Sequence, residues 1–424
     1  MKRIAQLSYH TSPVAALGGR VSGGMNVYVL ELSRELARQG HHVDIFTRRE
    51  GDGPAVEILE PGLRLVQIEA GPVEPVEKED LPAHLGDFIR NLLRFVAGEP
   101  RPYDVVHSHY WQSARAGIHV ARALGAPHVT MFHTLGEVKN RARITEEEPR
   151  RRILHERNAA RRADAIITAS DHERAVLRRY YGADESRMDT IPCGIDLELF
   201  YPRDRDAARV RLGINPGAPV LLWVGRLEKL KGVDILIQAL AEVETPGTQL
   251  IIVGGDAQAT GLREELSAQA EDAGVRDRVR FEGAVPHDAL PDYYAAADVC
   301  VVPSYYESFG LVAVESMACG TPVVASRVGG LVSTVIDGVN GYLIPWRCPG
   351  PFAEKLDVLL NNPHLRHNFS RAGRRNVERF RWRNIAMALS SVYERVETRK
   401  SRDANEAAFD ALSNEALESA LLAE

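Results

Sequence analysis

Only four cysteines, Cys193, Cys300, Cys319 and Cys348, occur in 424 residues. They show neither the paired spacing of a metal site nor the density of a disulfide framework, and such sparsity fits a reducing compartment, so a cytoplasmic setting is expected. Long hydrophobic runs are missing too: no stretch approaches the roughly eighteen apolar residues that a membrane-spanning helix needs. The opening Met1-Lys2-Arg3-Ile4-Ala5-Gln6-Leu7 turns polar too soon for a secretory signal and reads as a first buried strand. A net charge of -6 leaves no basic excess, so no nucleic-acid partner is expected. No internal repeat or low-complexity block is present.

What is present is a steady alternation of short apolar runs with segments of helical period, the pattern of parallel sheets covered on both faces, which makes this an α/β protein. In the first half the strands are expected at Arg3–Leu7, His42–Thr47, Arg64–Ile68, Asp104–His107, His128–Phe132, Ala165–Thr168 and Met188–Ile191. A turn-rich passage from Gly194 to Arg205 interrupts the series, and a second one runs from Pro219–Gly225 through Gln249–Val253, Arg278–Phe281, Val299–Val302, Pro322–Ala325 and Gly341–Ile344. The length is too great for one core. Two doubly wound domains are therefore expected, over 1–193 and 194–378, with a helix over 379–400 and a weak helix or frayed tail over 401–424. That tail is where self-association into a homodimer would be sought. In tandem doubly wound sheets, ligands bind beyond the carboxyl ends of the strands, so the cleft between the domains is the natural site.

The most informative string is Glu307-Ser308-Phe309-Gly310-Leu311-Val312-Ala313-Val314-Glu315, which follows the strand Val299–Val302 and opens a helix. The helix-start amides of Gly310, Leu311 and Val312, just after Phe309, suit a diphosphate. Phosphate repels carboxylates, so Glu307 and Glu315 suit the neutral hydroxyls on either side of it, a sugar on one and a ribose on the other. Arg226 and Lys231 hang from the loop after the strand ending at Val224, where two cations could neutralise the diphosphate without a metal. Opposite, Gly23-Gly24-Met25-Asn26 opens the first helix with bare amides but lacks the full dinucleotide fingerprint, which disfavours a nicotinamide enzyme.

The string from Glu307 to Glu315, with Ala318-Cys319-Gly320-Thr321-Pro322 after it, resembles the donor site of retaining glycosyltransferases of family 4, which have the GT-B fold of two facing Rossmann-like domains. The resemblance implies that Arg226 and Lys231 stabilise a leaving nucleoside diphosphate, that Glu315 takes the ribose hydroxyls and Glu307 the donor sugar. It also implies that the Val285 backbone faces the base and that the Gly24 backbone meets the donor phosphates across the cleft. His133, at the end of the strand His128–Phe132, matches the family's active-site histidine and would hydrogen-bond the transferred sugar or the acceptor, not attack it. No carboxylate pair is placed like that of a glycosidase, so double displacement is not indicated. Asp204-Arg205-Asp206 spells the carboxylate pair of metal-dependent GT-A transferases, yet it lies in the linker. No metal is expected to be required for catalysis, Mg²⁺ is not indicated, and the nucleoside-diphosphate sugar, with UDP as the expected nucleoside diphosphate, is a co-substrate.

A narrower resemblance rests on Ser108-His109-Tyr110-Trp111, His133-Thr134-Leu135, Val138-Lys139-Asn140, Lys78-Glu79-Asp80-Leu81-Pro82 and the Gly-Gly-Met-Asn turn. These are similar to the inositol-phosphate N-acetylglucosaminyltransferases of mycothiol synthesis. The resemblance implies an acceptor phosphate gripped by Lys78, Tyr110, Thr134 and Arg152, with Asn26 on the acceptor ring. Sucrose-phosphate synthases share the Gly-Gly turn, and fructose 6-phosphate is the alternative acceptor. The arginine-rich stretch from Arg141 to Arg179 reads either as a solvated helix face or as an anion site, for a phosphorylated acceptor or for an acidic membrane carrying a phosphoinositide. A non-catalytic sugar-nucleotide binder and a GT-B epimerase are the other readings.

Overall fold

The computed structural model describes residues 1–14, 23–77, 79–142, 147–255, 260–345 and 348–421, the last of these without side chains beyond 403. Lys78 lies outside the described residues.

Eight strands form the first sheet: β1 (Arg3–Leu7), β2 (His42–Arg48), β3 (Val56–Glu60), β4 (Leu63–Ile68), β5 (Val105–His109), β6 (His128–Met131), β7 (Ala165–Thr168) and β8 (Met188–Thr190). Their order is β3-β4-β2-β1-β5-β6-β7-β8, parallel throughout except for the antiparallel β3–β4 pair. The second sheet has six parallel strands, β9 (Val220–Val224), β10 (Gln249–Val253), β11 (Val279–Gly283), β12 (Val299–Val302), β13 (Val323–Ser326) and β14 (Gly341–Ile344), in the order β11-β10-β9-β12-β13-β14. The central strands are buried along their whole length, as parallel strands with helices on both faces must be.

The order of each sheet reverses once, between β1 and β5 in the first and between β9 and β12 in the second. Loops leaving the two strands at such a point diverge and open a crevice. The segments concerned are those after Leu7, His109, Val224 and Val302, and these loops together with the helices that follow them carry most of the residues singled out above.

β3 was not expected. Its residues, Val56-Glu57-Ile58-Leu59-Glu60, are largely exposed on a sheet edge, and an edge strand lacks the continuous apolar run that marks a buried one. The final helix, expected over 379–400 with a weak tail, runs unbroken from Trp382 to Leu421, its Ala- and Glu-rich end being favourable helix composition. It packs on the first lobe: the Tyr393 hydroxyl is 2.7 Å from His107 Nδ1 on β5. The chain therefore crosses between lobes twice, and the two crossings touch, Ile195 donating its N–H to the Phe380 carbonyl at 2.8 Å beside a bridge to Arg381.

Candidate active site

In the second lobe, β9 delivers Gly225-Arg226 and a short 3-10 turn, Lys229–Lys231, to the cleft. Gly232 follows at φ 69°, and a Cβ there would lie 2.1 Å from the Pro303 carbonyl, so only glycine lets this loop press against the exit of β12. The Lys231 ammonium is 2.5 Å from Glu307 Oε1, an oxygen that also accepts from Ser304 Oγ at 3.1 Å. The Arg226 guanidinium pairs with Glu228 at 2.7 Å. Both cations expected at a diphosphate thus carry carboxylate partners.

The helix of the Glu307–Glu315 string spans Leu311–Ala318, with Gly310 at φ 93° as its cap and not within its first turn. A side chain at Gly310 would meet Leu331 at 2.6 Å. The first amides of any helix lack an intrahelical partner, and here those of Leu311 and Val312 begin at the cleft. Two residues that sequence reasoning missed hold this cap. Gly330 N–H donates to the Glu307 carbonyl at 2.8 Å, and a Cβ on Gly329 or Gly330 would come within 2.0 Å of the Glu307 oxygen or 2.2 Å of the Ser308 oxygen. The signal was a Gly-Gly pair just after the strand β13.

One turn along that helix, Glu315 Oε2 accepts from the buried Tyr294 hydroxyl at 2.7 Å, and Oε1 lies 3.6 Å from His287 Nε2. Burial opposes a charge on His287, but the Glu315 carboxylate prevails and raises its pKa above the ordinary histidine value. Val285 sits half-buried two residues before His287, on the loop after β11. Beside Glu315 a cavity of about 230 Å³ opens between Val27 and Leu30 of the first lobe and Leu311 and His287 of the second.

In the first lobe, the helix Gly24–Arg38 starts against that wall. A Cβ at Gly24 would stand 3.0 Å from Leu311 Cδ1, and one at Gly23 3.5 Å from Arg226 Nε, both across the cleft. Asn26, 1% exposed, spends its amide on Thr11 Oγ1 (3.0 Å) and the Ser12 carbonyl (2.6 Å), tying the loop after β1 to the helix start.

Among the described residues, the non-glycine positions in the left-handed region are Tyr110 (φ 74°) and His133 (φ 60°). They follow β5 and β6, and strain of this kind concentrates at functional sites. His133 Nε2 is 3.0 Å from His109 Nδ1, and the other His109 nitrogen is 2.7 Å from Gln6 Oε1. Burial holds the His133 pKa down at about 3, so its imidazole is neutral at pH 7. Its carbonyl accepts from Ser308 Oγ at 2.5 Å, and the Ser308 carbonyl accepts from Ser170 Oγ at 3.2 Å, so two serines bridge the lobes here.

Thr134, next in the chain, accepts from Arg152 Nη2 through both its carbonyl and its hydroxyl, each at 3.1 Å. The Arg152 guanidinium carbon is 5.0 Å from the centre of the Tyr110 ring. Tyr110, Thr134 and Arg152 are thus in one cluster, while the Asn26 amide is committed elsewhere. Arg151 reaches the carbonyl of Glu79, the neighbour of Lys78, at 3.0 Å.

Asp204 and Asp206 form no metal pair. Asp204 caps the helix Arg205–Leu212 by accepting from Ala207 N–H at 2.7 Å. Among the described residues no group of three His, Cys, Asp or Glu side chains is arranged to hold a metal ion.

Two predominantly parallel sheets facing across a cleft, with cations and a helix start on one wall and a glycine-opened helix on the other, define a GT-B glycosyltransferase. The model of the family described as Glycosyltransferase Family 4 matches residues 22–199, and that described as Glycosyl transferases group 1 matches residues 204–376. The D-inositol 3-phosphate glycosyltransferase 2 of Catenulispora acidiphila is 44% identical over 93% of this chain and 95% of its own. A D-inositol 3-phosphate glycosyltransferase of Xylanimonas cellulosilytica is 42% identical over 94% and 98%. Among solved structures, the sucrose-phosphate synthase of Thermosynechococcus elongatus superposes with a TM-score of 0.87 at 36% identity, covering 93% of this chain and 99% of that one. The chain belongs to the family 4 glycosyltransferases, and is a transferase enzyme.

Proposed function

We propose that the enzyme transfers a hexosyl unit from a UDP-sugar to a hydroxyl of a phosphorylated small acceptor, with retention at the anomeric carbon, and that the acceptor is D-inositol 3-phosphate. One observation carries this reading. The Ser308–His133 hydrogen bond joins two adjacent clusters: Glu307 with Lys231 on one side, and Thr134 with Arg152 and Tyr110 on the other. A diphosphate and a second phosphate would then lie on either side of His133. The names of the two 44% and 42% identical relatives supply the inositol.

In this reading the diphosphate draws Lys231 and Arg226 away from Glu307 and Glu228 and takes the amides after Phe309, those of Gly310, Leu311 and Val312. Negative charge that grows on the leaving group as the sugar–phosphate bond breaks is stabilised there. Glu307, released from Lys231, accepts from sugar hydroxyls, Glu315 accepts from the ribose, the Val285 backbone meets the base, and Gly24 brings the facing backbone close to the phosphates. Arg152, Thr134, Tyr110 and Lys78 hold the acceptor phosphate, with Asn26 near the acceptor ring. The acceptor oxygen bonds to the anomeric carbon on the face that the diphosphate leaves, and its proton passes to the departing phosphate oxygen. His133, neutral, orients a hydroxyl. Side chains and amides supply the positive charge, so no step is routed through a metal. No helix among the described residues is long and apolar enough to cross a membrane. The free cysteines Cys193, Cys300, Cys319 and Cys348 support a reducing cytoplasm as the setting.

The likeness to a sucrose-phosphate synthase makes fructose 6-phosphate the second acceptor to test. Purified enzyme is incubated with UDP-sugars and D-inositol 3-phosphate, fructose 6-phosphate or unphosphorylated inositol, with products read by mass spectrometry and anomeric configuration by NMR. An α-linked phosphorylated product is expected. Equal transfer to unphosphorylated inositol, or sugar release without transfer, would overturn the reading.

A further inference from the structure

Lys139 Nζ and Arg152 Nη1 converge on a single oxygen, Oε1 of Glu148, each at 2.9 Å. The second carboxylate on Arg152 is of a different kind. Glu156, fully buried, holds Arg152 Nε at 2.7 Å and spends its remaining capacity on Gly136 N–H and the Tyr181 hydroxyl, so it belongs to the packed interior. Glu148 precedes the helix Arg150–Arg162 and is 17% exposed at its side chain; beyond the two cations, its backbone is fastened by Asn140, whose Oδ1 accepts from Glu148 N–H at 2.7 Å. Burial works against its ionisation, yet Arg152 and Lys139 hold its carboxyl pKa down at about 2, so it is charged at any working pH.

Arg152 is at the same time the residue that touches Thr134 and overlies Tyr110. The cluster therefore contains an anionic oxygen, bound by two cations, beside the place where the acceptor phosphate is proposed to lie. We propose that Glu148 is the resident counter-anion of the acceptor-phosphate subsite, displaced by the phosphate on binding, and that Lys139 is a further cation contacting that phosphate. The inference rests on the phosphorylated-acceptor reading above.

The charge arithmetic gives the arrangement its purpose. Lys139 and Arg152 balance Glu148 and Glu156 in this arrangement, which spares the buried guanidinium an unpaired state. Once Glu148 swings away, a net positive charge remains. A carboxylate-bearing acceptor would only exchange one carboxylate for another, whereas a phosphate dianion brings a second charge and more acceptor oxygens. The displaced side chain thereby selects phosphate over weaker anions.

The test uses the full-length enzyme, with inorganic phosphate as an inhibitor competing with D-inositol 3-phosphate. In Glu148→Gln the displaced charge is gone, so the inhibition constant of phosphate and the acceptor KM should both fall, by roughly three- to tenfold as for removal of a competing charge, while inhibition by UDP against the donor stays as in the wild type. Lys139→Met, at a partly exposed position, should raise the acceptor KM and leave the donor KM unchanged. A Glu148→Gln enzyme that binds phosphate equally or more weakly would make Glu148 a brace for Arg152 and overturn the inference, as would a Lys139→Met enzyme with an unaltered acceptor KM. Failure of the underlying reading is distinct: the wild type would then transfer to no phosphorylated acceptor at all.

Discussion

His133 Nε2 lies 3.0 Å from Nδ1 of His109, inside the first lobe and directly below the cleft. The relationship fixes more than distance. Burial lowers the pKa of His109 well below the ordinary value and that of His133 to about 3, so both rings are neutral. Gln6 turns its amide nitrogen toward the Tyr393 hydroxyl and its oxygen toward His109 Nε2, which must then carry the proton. His109 Nδ1 accepts from His133 Nε2–H, and the remaining His133 nitrogen is left as an acceptor.

Gln6→Leu should therefore leave the His109 N–H without a partner, at a cost of about 1–3 kcal/mol in stability. It should also allow the second tautomer of His133. Nitrogen NMR of the labelled histidines should report a mixed His133 tautomer and turnover should fall with it; an unchanged spectrum would mean that Gln6 does not set the proton position.

Lys231→Ala removes a cation proposed to meet the leaving diphosphate. Turnover should drop by about 10²–10³-fold, the range for loss of one transition-state charge donor. Because the variant also frees Glu307, the donor KM should change far less. Steady-state kinetics with a normal melting temperature decide the matter, and an unaltered kcat would remove Lys231 from the mechanism.

Gly24 and Leu311 face each other across the cleft so closely that even a methyl group on Gly24, 3.0 Å from Leu311 Cδ1, would need the leucine to give way. Gly24→Val should hinder approach of the lobes and lower turnover while leaving the melting temperature nearly unchanged, since the contact lies between lobes and not in a core. Trimming the partner in Gly24→Val/Leu311→Ala should recover part of the loss relative to the sum of the single changes. Strict additivity in this double-mutant cycle would show that the two side chains do not compete for space.

Glu173, 1% exposed, accepts from Ala169 N–H at 2.7 Å, and burial lifts its carboxyl pKa to about 7 despite that bond. A folded-state pKa above the unfolded value means that the native state holds the extra proton. The protonated carboxyl is harmless below the unfolded pKa, and stability declines as pH rises from there through about 7. Glu173→Gln should thus match the wild type in melting temperature near pH 4 and exceed it increasingly toward pH 8. A pH-independent difference would contradict the assignment.

The strands of both sheets were legible because parallel strands buried on two faces leave uninterrupted apolar runs, as in Val220–Val224 and Val299–Val302. β3 was not, since exposure on an edge erases that mark. Gly310 stood out by its place before a helix, whereas Gly329 and Gly330 work through the atoms they lack and through carbonyls some twenty residues away, a relation that spacing does not encode. Pairings across long separations were equally hidden: Lys231 meets Glu307 over 76 positions and Gln6 meets His109 over 103. Sequence assigned Lys231 and Glu307 to separate ligand groups and could not show that they neutralise each other. Glu148 and Arg152 are four apart, but Glu148 stands before the helix Arg150–Arg162, so helical spacing alone does not pair them, and the neighbouring run of arginines marks positive charge and not its counter-anion.

The Tyr393 hydroxyl that bonds His107 arrives on the last helix, after the whole second lobe has been made. During synthesis on the ribosome, the nascent first lobe must wait with the buried imidazoles of β5 incompletely covered until some two hundred further residues have emerged. A chain stalled after Gly194 would lack the helix that covers this seam, so the last helix must be made before the imidazole of His107 gains its tyrosine partner.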